Sequence, residues 1–347
     1  MTQLKVDVQL SDSVIDATAR AKALEAVAVD GAFSFENAHD LFLPLAAAAP
    51  VCSLDLYTNV AIAFPRSPMH LAHTAYDLQL LSEGRFRLGL GSQVRAHVEN
   101  RFGARWGSPV AQMREWVLAT KAILEHWQER TPLRFEGEYT RHTLSTPAFD
   151  PGPNPYGAAR VVVGALGPKM NEMAAEVADG ILVMPFNSGL HMAERTVPAI
   201  ERGLATAERS WDDVEITVEV IVGVGRTDEE LDKARRIRGL LAFYGSTPSY
   251  RAVLDVHGWG DLQPELNRLS KQNEWAAMSS LISDDILHTL AVHGTPAECA
   301  AEIGRRYGAW ANRICINFPG YRVADDLLGE IVEEIHNARL SRNTVSL

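Results

Sequence analysis

Short apolar runs alternate with longer amphipathic stretches from one end of this chain to the other. Lys5–Gln9 reads as a first strand. Asp12–Val29 follows with apolar residues at helical spacing and a cap at Ser11 or Asp12. Gly31–Phe35 is a second strand and Leu41–Ala49 a helix. Leu54–Phe64 carries a third strand, Pro68–Leu81 a helix with proline in its first turn, and Arg85–Leu90 a fourth strand. Ser92–Pro109 is a long polar connection of the kind that usually carries function. Val110–Trp127 is an amphipathic helix, and Leu133–Leu144 a hairpin turning at Glu136-Gly137-Glu138. The second half predicts strands at Arg160–Ala165, Gly180–Met184, Glu215–Val224 and Arg313–Phe318. Helices are predicted over Pro168–Ala178, Gly189–Ala207, Asp228–Leu241, Thr295–Tyr307 and Ala324–Leu340. Tyr244–Leu290, rich in Gly, Pro and Trp, interrupts this alternation and reads as an insertion.

The eight strands are short and nearly all apolar, as expected when both faces of a sheet are covered. Two architectures compete, a (β/α)₈ TIM barrel and an open doubly wound sheet. The strand count favours the barrel. The first βα turn, Gln9-Leu10-Ser11-Asp12, has no glycine, which argues against a dinucleotide-binding half. The expectation is one α/β barrel domain over residues 1–347, with insertions at about 92–109, 130–158 and 244–290.

Composition narrows the function classes. A chain of 347 residues that is 46% hydrophobic supports a large core. A net charge of −11 argues against a nucleic-acid partner and fits poorly with an anionic membrane surface. Met1–Leu10 lacks the pattern of a signal peptide, and Leu41–Cys52, broken by prolines, is too short to span a bilayer. A cytoplasmic location is expected. Cys52, Cys299 and Cys315 form no C-x-x-C and read as small buried hydrophobes.

Several local motifs carry possible chemistry. Arg87-Leu-Gly-Leu-Gly-Ser-Gln93 ends the fourth strand; Gly89 and Gly91 permit close approach of a ligand or of a neighbouring backbone. A third fingerprint glycine is missing, because that position is Val94, and no nucleophile elbow surrounds Ser92. Gly164-Ala-Leu-Gly167-Pro168-Lys169 joins a strand to a helix start, which suits either a phosphate or a plain βα turn. His39-Asp40 follows the second strand, on the face where barrels place active sites, and His97 lies on the long connection. His70-x-x-His73 lacks further ligands at metal spacing, so no metal is expected.

The run Tyr76-Asp77-Leu-Gln-Leu-Leu-Ser82-Glu-Gly84-Arg85-Phe-Arg-Leu-Gly89-Leu-Gly91 resembles the signature of the luciferase-like monooxygenase superfamily. Phe64-Pro-Arg66-Ser-Pro68, His39-Asp40, Gly164-x-x-Gly167-Pro168 and Ala178-Asp-Gly180 fit the same pattern in order and spacing. Within it, Gln93-Val-Arg-Ala-His97, Glu176-Val-Ala-Asp-Gly180 and Phe243-Tyr-Gly-Ser-Thr-Pro248 resemble the deazaflavin branch, which uses coenzyme F420.

The resemblance implies a (β/α)₈ barrel holding the cofactor at the C-terminal ends of its strands. It implies a non-prolyl cis peptide at Asn59–Val60 supporting the ring, with Val60, Ile62 and Leu90 forming an apolar slot and Gly91 and Gly164 beside it. It implies phosphate binding at Gly167, Pro168, Lys169 and Met170, and a tail met by Lys169 and Arg195. His39 is the implied proton donor, with His97 next. Ala38 replaces an acidic residue that often precedes the histidine matching His39 in the group, and Val94 replaces a glutamate of its sugar-phosphate dehydrogenases; these departures argue against sugar-phosphate oxidation. The expected activity is hydride transfer between C5 of F420 and a small organic substrate, reducing an activated C=C or C=N bond. An FMN-dependent monooxygenase and a catalytically idle binding barrel are the alternatives. A homodimer formed through early apolar helices is expected.

Overall fold

The computed structural model describes residues 3–11, 13–234, 237–318 and 323–338. The barrel strands are β1 (Lys5–Gln9), β2 (Gly31–Ser34), β3 (Asp55–Thr58), β4 (Phe86–Gly91), β5 (Arg160–Ala165), β6 (Gly180–Val183), β7 (Glu215–Val224) and β8 (Arg313–Asn317). Each pairs in parallel with the next, and β8 returns to β1, so the sheet closes into a barrel. The principal helices are α1 (Val14–Ala26), α2 (Phe42–Ala48), α3 (Pro68–Leu81), α4 (Pro109–Glu129), α5 (Pro168–Val177), α6 (Val197–Thr206), α7 (Pro296–Tyr307) and α8 (Asp325–Asn337). They cover the barrel, and the main apolar core lies between them and the outward strand faces.

Several boundaries differ from the sequence reading for local reasons. Ser13 caps α1, its hydroxyl accepting from the Ile15 N–H at 3.2 Å, in place of Ser11; Asp12 lies outside the described residues. The polar connection after β4 contains a short helix, Arg95–Asn100. The expected helix over Gly189–Ala207 contains a π-helical stretch at Met192–Thr196, next to Pro198, whose missing N–H interrupts the α-helical ladder. The stretch read as one helix over Asp228–Leu241 is helical at Asp228–Ala234 and again at Arg238–Gly245, and the two residues before Ile237 lie outside the described residues. The C-terminal end of the last expected helix lies outside them too.

Inside the barrel, alternation sorts side chains into layers. The N-terminal end is charged. Arg313 donates to both oxygens of Asp7, at 2.8 and 2.5 Å, and to Asp55 at 2.7 Å; Arg87 pairs with Glu215. Above this lies an apolar layer of Phe33, Tyr57, Val162, Leu182 and Cys315. Each arginine serves more than one group, so charges taken out of water keep partners. The charged plug and the apolar layer fill one end, and the opposite end stays open.

Candidate functional site

The open end is a cavity of about 1630 Å³ at the C-terminal ends of the strands. Around its floor the lining carries glycine or polar side chains: Gln9, Asn59, Gly91, Gly164, Glu219 and Asn317. Its walls include Phe35, Leu182, Met184, Tyr244 and Tyr250.

The β3–β4 edge shapes one wall. The ladder runs Tyr57↔Arg87 and resumes at Ala61↔Leu90, so four steps on one strand face three on the other. The extra residue makes a bulge. Thr58 fills the broken ladder: its hydroxyl donates to the Gly89 carbonyl at 2.7 Å and accepts from the Gly89 N–H at 2.8 Å. The Asn59–Val60 peptide at the bulge is cis, as the resemblance implied. A Cβ on Gly91 would lie 2.3 Å from Val60 Cγ2, and one on Gly164 would lie 2.9 Å from Val60 Cγ1. The two glycines therefore make the room into which Val60 projects. Gly91 packs against the Val60 side chain and also lines the cavity.

All nine residues expected at the cofactor site, Asn59, Val60, Ile62, Gly91, Gly164, Gly167, Pro168, Lys169 and Met170, line this one cavity. Leu90 is buried in the core behind them, and Arg195 lies exposed outside the lining. At the start of α5, Pro168 has no N–H and the Met170 N–H turns back to the Gly167 carbonyl at 3.1 Å. The run of free amides expected for a phosphate is thus reduced. Lys169 is exposed there, and among the described residues no ion-pair partner engages it.

The two histidines expected to move protons are placed elsewhere. His39 and His97 are exposed, and neither lines the cavity. The reason for His39 is local: Asn37 Oδ1 accepts from the His39 N–H at 3.0 Å, and Asp40 caps α2, folding the segment outward after β2. His97 sits in the short helix Arg95–Asn100, whose buried side is Val98. His73 packs its ring on Trp127 at 4.7 Å, which makes it part of the core packing. Among the described residues no cluster of three or more His, Cys, Asp or Glu could hold a metal, and no helix is long and apolar enough to cross a membrane.

Sequence reasoning missed the acidic residues of the cavity. Glu36 lines it and is held by Arg66 through two bonds of 2.7 and 3.1 Å; it also accepts from the Ile62 N–H at 3.3 Å. Trp116 Nε1 donates to the Arg66 carbonyl at 2.7 Å, fixing that arginine. Glu219 lines the floor, its oxygens accepting from Asn59 Nδ2 at 3.0 Å and Asn317 Nδ2 at 2.7 Å. Burial pushes its carboxyl up to about 7, against the two amide bonds that favour the charged form. A lone glutamate inside the apolar run of β7, at the inward parity of Thr217, was the available signal.

The family model for luciferase-like monooxygenases matches residues 2–313. The chain belongs to this family. An uncharacterised protein of Mycobacterium tuberculosis is 46% identical over 314 residues, covering 90% of this chain and 92% of that protein. The 5,10-methylenetetrahydromethanopterin reductase of Archaeoglobus fulgidus is 26% identical over 273 residues, 77% of each chain. Among solved structures, the coenzyme F420-dependent tetrahydromethanopterin reductase from Methanopyrus kandleri superposes with a TM-score of 0.80 at 19% identity, over 96% of this chain and 98% of that one. The last comparison bears on the fold, which is the luciferase-like barrel.

The insertion helps to close the site of this luciferase-like protein. Tyr244, Ser249 and Tyr250 reach the lining from it, and Phe186, after β6, stacks near Tyr250 with ring centroids 6.3 Å apart. His257 bonds Ser188 at 2.8 Å between Nε2 and Oγ, tying the insertion to the β6 loop. The insertion thus packs on the C-terminal side of the barrel.

Proposed function

We propose that this protein is a coenzyme F420-dependent oxidoreductase that reduces an activated C=C or C=N bond of a small organic substrate. The observation that carries the reading is the convergence of the nine residues on one cavity, with the Val60 bulge seated over Gly91 and Gly164. The name of the Methanopyrus kandleri reductase, which includes coenzyme F420, supports the same cofactor.

The residues fit a deazaflavin. A three-ring system needs an apolar slot with a few polar groups at its edge. Val60, Ile62, Leu166, Leu182 and Met184 provide the slot, and Asn59 and Asn317 provide amides. The start of α5 with Lys169 suits a phosphate at the cavity rim. When bound in its reduced form, the deazaflavin supplies a hydride from C5. The chain's own part is to hold the ring against the Val60 bulge, to orient the substrate, to exclude water with the insertion and to manage the proton.

Titration with oxidised coenzyme F420 and with FMN, followed through ring fluorescence, tests the cofactor. F420 is expected to bind more tightly than FMN. Preference for FMN would support a monooxygenase, and binding of neither would favour an idle barrel. The reading includes a homodimer through α1 and α2, where Val14, Ile15 and Leu43 stand exposed. Light scattering that returns the mass of one chain at micromolar concentration would remove that assembly.

A further inference from the structure

The carboxylates inside the barrel fall into two kinds. Asp7, Asp55, Glu215 and Glu36 each pair with an arginine. Glu219 pairs with none among the described residues; its partners are the two neutral amides of Asn59 and Asn317, one on each oxygen. Those amides come from the end of β3 and from β8, on either side of the floor, so they fix the carboxyl in place. Glu219 is half-buried, and its exposed part opens into the cavity.

Its other titratable neighbours add no positive charge. Tyr244 of the insertion and Cys315 of β8 interact with it, and burial holds both neutral by raising them. A carboxyl without a cation, half-buried at the floor of a largely apolar cavity, favours its neutral acid form. The upward shift noted above agrees with this. The exposed histidines His39 and His97 do not compete for the role, since neither lines the cavity.

We propose that Glu219 is the group that holds and delivers the proton in this cavity, with Asn59 and Asn317 as its positioning residues. The inference rests on the reductase reading for its chemistry. The Glu219 O–H bond breaks, and a new bond to hydrogen forms at the substrate atom beside the carbon that accepts hydride. That atom is the nitrogen of an imine or the α-carbon of an enone. The electron pair arrives with the hydride of the reduced deazaflavin, and the carboxylate left behind regains its proton from water. The substrate class follows. An O–H donor at the floor, with no cation beside it, takes a carbonyl oxygen or an imine nitrogen rather than a carboxylate or phosphate.

Two measurements test this. Infrared difference spectra of the unliganded protein across acid to alkaline pH should show a protonated carboxyl band that titrates near neutrality. Glu219→Gln should remove that band, and Glu219→Asp should retain a titrating band. A band untouched by Glu219→Gln, or no band near neutrality, overturns the proposal without reference to any cofactor. Secondly, oxidation of reduced coenzyme F420 by 2-cyclohexen-1-one should slow by about 10²–10⁴-fold in Glu219→Gln, while F420 affinity changes little. Unchanged turnover in a variant that has lost the band would leave Glu219 a structural acid and end the proton role. A wild type that binds F420 but leaves both the enone and a cyclic imine unreduced overturns the reductase reading, and the infrared result then still decides the state of Glu219.

Discussion

A methyl group on Gly91 would press on Val60 from 2.3 Å, and a β-branched valine on a fixed bulge has little room to turn aside. Overpacking of this kind costs about 1–3 kcal/mol. Here the cost falls on the wall against which the ring is proposed to lie. Gly91→Ala is therefore expected to weaken coenzyme F420 binding at least about tenfold, read by fluorescence titration. His39 gives the opposite expectation. Its exposed place beyond the Asn37 and Asp40 turn keeps it off the lining, so His39→Ala should leave kcat within the scatter of wild-type preparations. A large loss in kcat with normal cofactor affinity would return the proton role to that histidine.

At the scale of elements, the segment after β6 joins the barrel to the insertion. Ser188 caps the turn Gly189–His191, accepting from the His191 N–H at 3.0 Å, and bonds His257 of the insertion. His191 is buried, with Nδ1 bonded to Asn187 Oδ1 at 2.9 Å. Burial, with Arg195 and His257 nearby, lowers its pKa from 6.5 to about 4. A buried neutral histidine contributes stability above its unfolded pKa near 6.5, and that contribution is lost as pH falls toward 4. The shift corresponds to a loss on the order of 3 kcal/mol across that window. His191→Gln cannot take up this proton. Urea denaturation at steps between pH 7 and pH 4 should therefore show a shallower decline in the variant than in the wild type.

The whole molecule is held at its closed end by the charge network across β1, β3, β4, β7 and β8. Arg313 is central, since it bridges Asp7 and Asp55 while almost fully shielded from solvent. Removing one partner of such a set leaves carboxylates buried and unpaired, which costs about 3–5 kcal/mol. Arg313→Met should lower stability by about that amount in denaturant unfolding, because Asp7 keeps no other close cation than Arg87, at 3.8 Å. A smaller loss with a raised pH of acid unfolding would mean that Asp7 takes up a proton instead. Because this network sits a full apolar layer below the cavity, cofactor affinity in the folded variant should change little.

Local patterns along the chain placed most of the elements, and their count of eight strands favoured the barrel. Strand burial and helix amphipathicity are local patterns, so Pro68–Leu81 and Glu215–Val224 fall where periodicity put them. Gly89 and Gly91 were legible as points of close approach, the family resemblance implied the bond at Asn59–Val60, and all nine positions expected from that resemblance line one cavity. Which charged side chains face that cavity was settled by long-range packing. His39 and Glu36 lie three residues apart after the same strand, yet Arg66 draws Glu36 inward while the Asp40 cap carries His39 outward. Glu219 meets Asn59 and Asn317 only because β3, β7 and β8 come together around the closed sheet. Direction after a strand end and contact across a barrel depend on residues far apart in the chain, and no local pattern encodes them.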